Sequence, residues 1–503
     1  MEGGLLEEEK LIGGGEKTLE EEEEEEDEEK DDEEDEYDDE YDDEEMWLGF
    51  IERNYAQHHR HQRAVKIRKD EFDSKMEFFL WTEEKLLPLP REITLDILSR
   101  LPLDSILDCR LVCRTWRYLI ILTSFADLHL RRRRHCGGLL LPPSPQHEYH
   151  YPSNADVGKV GFLFLTMEKY SHLYYGEYSE DENGGNRSYM TIDKINLSPF
   201  KKRPNTVAIV GSCNGLICSS IPCPFRIDDP IHIFNPITRE FLYLPRFDIP
   251  YKYRKTIVNK RSYTDFYMVS GFGYHPSTDL YKIVRIFYCG EQQPTVGQVQ
   301  VYTLGSYCGW RNKGEITYSL FRRSNGPSRG VLAEGALHWL DYKEWDIIAF
   351  DLAEEEFSLL PSPPCFSPSG SNNFQLQVLG GCLCVAHENV GESFDIWSFK
   401  KKTGEWESMF KITFRKGKPI DVHWPIVLTM SGELLLRYNS KHLVRYNPRT
   451  ATLKKIADLT TGLASESFSL LLVEAIPHIH SFVSLKALEA KSKKRRRSED
   501  DSD

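Results

Sequence analysis

The chain has 503 residues, is 40% hydrophobic and 12% aromatic, and carries a formal net charge of −16. That length allows about three domains, or two if one is a large all-β unit. No apolar run approaches the roughly 18 residues of a membrane span, and the acidic start is the opposite of a secretory leader, so no membrane partner is expected. The eleven cysteines show no paired framework, which fits a reducing compartment, the cytosol or nucleus.

The average charge hides a strong asymmetry. Residues 1–45 hold 28 Asp and Glu against three Lys, a charge of −25, while the rest of the chain carries +9. Like-charge repulsion and scarce apolar surface predict a disordered acidic tail over 1–45. Residues 46–75 then read as a basic linker, with His58, His59 and His61 set among Arg and Lys. No Cys or carboxylate completes a set at ligand spacing there, so no metal site is expected.

Residues 76–135 read as short helices. Leu89-Pro90 and Leu101-Pro102 place two prolines where each suits the first turn of a helix. Ile93, Ile97, Leu98 and Leu101 recur at helical spacing. A second helix fits Leu103 to Cys109, and a third fits Leu111 to Ile121 with Val112, Trp116, Leu119 and Ile120 on its apolar side. Helices this short cannot bury all their apolar faces on one another, because about 40 residues is too few for an independent core. The leftover surface implies a partner.

These residues resemble the F-box, the motif that docks on the Skp adaptor of SCF-type ubiquitin ligases. The likeness rests on Leu89-Pro90, Ile93, Ile97-Leu98, Leu101-Pro102, Ser105-Ile106-Leu107, Arg110, Val112-Cys113 and Trp116. Asp108 departs from it, since plant members usually carry a basic residue there; the change touches charge and not the apolar face. The resemblance implies adaptor-binding roles for Leu89, Pro90, Ile93, Ile97, Leu98, Leu101, Pro102, Leu107, Val112, Cys113 and Trp116. Phe125, Leu128, His129 and Leu130 resemble the short helix that follows the F-box in many plant members, and Arg131 to Arg134 read as its solvated end. With no groove-reading motif beside that cluster, no nucleic-acid partner is expected. Pro142, Pro143 and Pro145 mark a linker over 136–150.

From 151 to 484 short strand patterns recur without a long amphipathic helix. Asn235-Pro236-Ile237-Thr238, His275-Pro276-Ser277-Thr278 and Asn447-Pro448-Arg449-Thr450 read as hairpin tips of an irregular β repeat. At about 45 residues per four-stranded blade the region would make roughly seven blades, six to eight being compatible; a pair of β-sandwiches is the other architecture open. The same region resembles the kelch-like F-box-associated domain of plant F-box proteins. It does so through Gly211-Ser212-Cys213-Asn214-Gly215, Ile233-Phe234-Asn235-Pro236, Gly271-Phe272-Gly273-Tyr274, Gly335-Ala336-Leu337-His338-Trp339 and Ile396-Trp397, in order. The fold class is thus α+β multidomain: a helical F-box, an all-β domain expected to be a β-propeller, and a disordered acidic tail.

No catalytic residue is expected. Gly211 to Gly215 has the spacing of a nucleophile elbow, but Leu216-Ile217-Cys218 reads as a strand where a helix would be needed. His338, on an apolar strand, reads as a core histidine, and no cofactor is implied. Residues 485–503 read as a disordered basic, then acidic, tail. Within it, Lys493, Lys494, Arg495, Arg496 and Arg497 suit the acidic grooves of nuclear-import receptors.

Together these readings predict a substrate-recognition subunit of an SCF-type ubiquitin ligase, located in the nucleus or in nucleus and cytoplasm. The F-box would bind the Skp adaptor and, through it, the cullin and RING subunits; the β domain would bind an unidentified protein target. The alternative is a nuclear scaffold or chaperone-like protein that binds basic proteins through the acidic tail.

Overall fold

The structure, a computed structural model, describes residues 89–136, 159–167, 171–179, 189–195, 207–220, 229–247, 266–289, 296–306, 308–320, 329–366, 374–389, 393–413, 423–429, 431–438, 442–458 and 471–490. The acidic tail, the basic linker, almost all of the Pro-rich linker and Lys493 to Arg497 lie outside these residues. The described helices and sheets belong to one compact unit, Glu77–Asp503.

Among the described residues four helices come first: α1 (Arg91–Leu98), α2 (Leu103–Val112), α3 (Arg114–Ile121) and α4 (Thr123–Cys136). Pro90 and Pro102 sit one residue before α1 and α2, as caps in extended conformation. Proline suits this place because the cap needs no helical N–H and the chain must turn sharply. The break between α2 and α3 falls at Cys113, later than expected, so α2 runs on to Val112. Cys113 is extended, and its Sγ accepts the Trp116 N–H at 3.4 Å, capping α3 where Ser or Asp commonly would.

Six four-stranded antiparallel sheets follow, the blades of a propeller. Blade one holds β1 (Lys159–Met167), β2 (Ser171–Ser179) and β3 (Tyr189–Ile195); blade two holds β4 (Ala208–Cys213), β5 (Leu216–Ser220), β6 (Pro230–Asn235) and β7 (Glu240–Tyr243). Blade three runs from β8 (Phe266–His275) through β9 (Leu280–Cys289) and β10 (Gly297–Thr303) to β11 (Trp310–Ile316). Blade four comprises β12 (Val331–Ala333), β13 (Ala336–Leu340), β14 (Ile347–Asp351) and β15 (Phe357–Leu360). The fifth blade is β16 (Phe374–Leu379), β17 (Cys382–Asn389), β18 (Ser393–Lys400) and β19 (Glu405–Thr413), and the sixth β20 (His423–Leu428), β21 (Leu434–Tyr438), β22 (His442–Asn447) and β23 (Thr452–Asp458). The last strand, β24 (Leu471–Pro477), completes blade one by pairing antiparallel with β1, Leu163 opposite Ile476. First and last strands thus close the ring and remove its open edge. Six blades lie within the expected range and one below the simple repeat arithmetic, because each blade with its connections is longer than about 45 residues.

The recurring turns have a common cause. Asn235 Oδ1 accepts the N–H groups of Ile237 (2.9 Å) and Thr238 (3.4 Å), and Asn447 does the same for Arg449 (2.9 Å) and Thr450 (3.2 Å). Asp351 repeats the device with Ala353 and Glu354. These side chains act as the first residue of a turn, and each joins the third strand of its blade to the fourth. His275 differs, since its turn joins β8 to β9, the first pair of blade three. Between blades three and four, Glu355 takes Lys282, Arg311 and Lys313 as partners. Arg285, paired to Asp229 at 2.9 Å, lies over the Trp310 ring at 3.7 Å.

Beyond β24 the chain does not leave the fold. Residues 478–484 form a strap, and 485–490 are helical, with Leu485 buried; the folded chain passes the boundary expected at 484. Asn235 Nδ2 donates to the carbonyls of Ser481 (3.1 Å) and Val483 (2.8 Å), and Ser481 Oγ donates to the Asn214 carbonyl at 2.6 Å. So held, Phe482 enters the helical core beside Leu98, Ile106, Ile120 and Phe125. Its ring meets those of Phe125 and His129 edge-on, at 5.6 and 5.3 Å.

Arg131 is exposed as expected, but Arg132 and Arg133 correct the expectation of a simple solvated helix end. Arg132 donates to the Asp96 carbonyl at 2.7 Å and pairs with the Asp96 carboxylate, satisfying the end of α1. Arg133 lies 3.6 Å from Glu177 of β2. Phe482→Ala should cost about 3–5 kcal/mol in the helical core. Hydrogen exchange should then accelerate at the amides of 91–136 and leave the six sheets protected; unchanged helix protection would mean that the helices hold their own core.

Candidate functional site

The outward side of the helices is apolar. Ile93 and Ile97 lie four residues apart on α1, Leu89 just precedes the helix, and all three are about half exposed, Ile93 at 48%. Thr94 and Leu98, on the inward side, are buried. The residues marked out by the F-box resemblance therefore divide. Leu89, Pro90, Ile93, Ile97, Val112 and Cys113 are exposed; Leu101, Pro102, Leu107 and Trp116 are half-buried. Leu98, at 1%, lies in the core, packed with Phe482. Leu111 at 77% and Ile121 are exposed apolar residues outside the expected set. The sequence pattern puts Leu111 at the start of the third helix; ending α2 instead, it is exposed with Val112 beside the break at Cys113.

A second feature is a cavity of about 240 Å³ on the propeller axis, lined by the inner strands of all six blades. Ser212, Arg329, Glu334, Gln375, Gln377 and His478 are among its polar side chains, and Tyr274, Leu332 and Ile426 form part of its apolar wall. Ser212 Oγ lies 2.7 Å from His478 Nδ1, and His478 Nε2 lies 3.1 Å from His480 Nδ1. Burial, with Arg133 adding a smaller effect, lowers His480 to about 3, and burial holds His478 well below its ordinary range. Both rings are neutral at physiological pH.

The Gly211 to Gly215 segment is a hairpin turn, as expected. Asn214 (φ 53°) and Gly215 (φ 83°) form a two-residue connection between β4 and β5. A side chain at Gly215 would collide with Ser481 of the strap. His338 is a core histidine, lowered to about 4 chiefly by burial, with Nδ1 3.2 Å from the Val331 carbonyl. Burial pushes the Cys384 thiol up to about 12, which disfavours a nucleophilic thiolate. Among the described residues no group of three or more His, Cys, Asp or Glu is placed to hold a metal ion.

Residues 163–479 match the F-box associated beta propeller domain family, and residues 86–131 match the F-box-like family. The chain belongs to the plant F-box proteins with an associated β-propeller. The F-box protein At3g07870 of Arabidopsis thaliana is 28% identical over 412 residues, 73% of this chain and 87% of that protein. The F-box/kelch-repeat protein At3g23880 and the F-box protein CPR1, both from Arabidopsis thaliana, are 25% and 26% identical. Those matches cover 66% and 76% of this chain, and 82% and 87% of the respective relatives. An F-box implies binding to Skp-type adaptors in general, and an F-box with a propeller fits a substrate-recognition role by family. Family members are typically non-catalytic adaptors.

The buried histidines predict an acid-sensitive propeller for this F-box protein. His480 titrates near 6.5 when unfolded and about 3 when folded, so the unfolded chain takes up the proton first. Its contribution to stability is complete above about pH 6.5 and is lost progressively as pH falls toward 3. Urea unfolding should show stability falling between about pH 7 and about pH 5, and His480→Gln should flatten that fall. An equal slope in the variant would assign the sensitivity to other groups.

Proposed function

We propose that this chain is the substrate-recognition subunit of an SCF-type ubiquitin ligase. The observation that carries the reading is the two-sided helical module: its inner side is filled by Phe482, and its outer side leaves Leu89, Ile93 and Ile97 uncovered. A Skp adaptor covers that outer side, with Pro90, Val112 and Cys113 around it and Leu101, Pro102, Leu107 and Trp116 supporting the face from half-buried positions. The adaptor joins the cullin and RING subunits, and the propeller holds a protein target. The chain itself performs no bond chemistry. Its contribution is proximity, since holding a target lysine near the ubiquitin thioester raises its effective concentration.

The test is Ile93→Asp with Ile97→Asp. Both side chains are exposed, so the fold should survive. Burying each contributes about 2 kcal/mol, so losing both should weaken adaptor capture by about a hundredfold or more. Capture at wild-type affinity by the folded double variant would remove the reading.

On the same proposal the ligase is nuclear through Lys493 to Arg497, a short cationic run of the kind that suits the acidic grooves of import receptors. Replacing all five by Ala should move the protein to the cytoplasm and leave adaptor binding unchanged, as fluorescence microscopy and pull-down would report. Undiminished nuclear accumulation would exclude this run as the address.

A further inference from the structure

The adaptor face has its foundation in the propeller. Each of the four helices contributes a buried side chain to one cluster: Leu98 from α1, Ile106 from α2, Ile120 from α3 and Phe125 from α4. Phe482 of the strap, 3% exposed, joins that cluster from outside the helices. Leu101, Leu107 and Trp116, which support the adaptor face, pack against the same cluster, as does Ile237 from the Asn235 turn. In α1 the buried Leu98 directly follows the exposed Ile97, so a shift in the core moves the face. The strap itself is positioned by the seam of the ring. It leaves β24 at Pro477, opposite Phe162 of β1, and the His478 N–H donates to the Gly161 carbonyl at 3.0 Å. Val483 and Leu485 then pack with Leu130 of α4 in a cluster that also holds Leu216 of blade two and Phe272 of blade three. The place of Phe482 is therefore set by the closed propeller.

We propose that adaptor capture is conditional on closure of the propeller, with Phe482 as the positioning residue that couples the two. The adaptor face takes its binding shape only when β24 is paired with β1 and the strap has delivered Phe482 among the helices. This inference rests on the adaptor reading above and adds a dependence that the reading does not contain. Helices of 8, 10 and 8 residues have little core of their own, and losing one buried aromatic ring removes a large share of the stability such a unit can have. A partner that binds only the ordered form then sees its affinity fall by the fraction of molecules still ordered. The coupling is mutual, so a bound adaptor holds the strap in place as firmly as the strap holds the adaptor face. A chain that stops before residue 482 would carry an intact F-box sequence and leave the adaptor free for complete molecules.

The test measures affinity for purified Skp adaptor and hydrogen exchange, both on the full chain. Phe482→Ala should weaken capture about tenfold or more while the amides of the six sheets stay protected, because the adaptor must then reorder the helices it binds. Phe482→Leu, which keeps a large apolar side chain, should recover most of that loss. The reciprocal measurement uses the wild-type chain. Saturating adaptor should slow exchange about tenfold at the Val483 amide, which donates to Ser481 Oγ at 3.2 Å beside the Phe482 ring. Ile93→Asp with Ile97→Asp should abolish that slowing. Wild-type affinity in the folded Phe482→Ala variant, or unchanged Val483 exchange under saturating adaptor, would overturn the coupling and leave the adaptor reading in place. Failure of the wild-type chain to capture the adaptor would instead overturn both.

Discussion

Phe482 is where the helical and β parts of this molecule become one. The F-box helices are too few and too short to build a sufficient core, and a side chain from the far end of the sequence fills the gap among Leu98, Ile106, Ile120 and Phe125. The residue sits five positions beyond β24, the strand that closes the propeller ring. Ring closure and helix docking are therefore consecutive steps along one stretch of chain. The consequence for function is geometric. An F-box tied to its propeller only by a linker would sample many orientations, whereas one built around a strap from the propeller is held in a restricted set of positions relative to it.

The propeller can carry that demand because its blades are joined by specific contacts as well as apolar faces. Glu355 gathers Lys282, Arg311 and Lys313 at the border of blades three and four. Burial alone would raise the carboxyl, but hydrogen bonds from Arg311, Lys282 and Lys313 outweigh it and hold Glu355 at about 2. Arg285 ties blade three to the segment ahead of blade two's third strand through Asp229, and its stack on Trp310 covers the guanidinium where water is excluded. Buried pairs of this kind add little net stability against apolar packing. They do penalise any neighbour that leaves a charge unpaired, which suits a ring whose blades share one architecture.

How much of this was legible in the sequence follows from how local each feature is. The F-box helices and most strands were readable because their periodicities and turn residues lie within a few positions of one another, as at Asn235 and Asn447. The end of α2 was not, because Leu111 and Val112 continue an apolar run and only the backbone at Cys113 breaks it. The burial of Leu98 was hidden for a different reason: its partner Phe482 lies nearly 400 residues away, at the end of the β region, with no spacing that ties it to the helices. The axial cavity was beyond sequence reasoning altogether. Ser212 and His478, Arg329 and Glu474 are paired by ring closure, and none carries a spacing that marks it.

The strap also separates two properties that a packed side chain is often credited with together. Burial of the Phe482 ring supplies most of the driving force, but a ring among apolar neighbours tolerates several orientations. Direction comes from the polar contacts around it. Asn235 spends both functions of its amide, turning its own loop with Oδ1 and holding the strap carbonyls with Nδ2. Ser481 returns the tie to Asn214, and Glu240 accepts from Ser484 Oγ at 3.0 Å. These groups are largely shielded from water, so a shifted strap would leave donors and acceptors unpaired. That asymmetry explains why the Gly211 to Gly215 turn and the Asn235-Pro236 turn, which look like mere hairpin tips in the sequence, sit together where the helices dock: they are the template that aims Phe482.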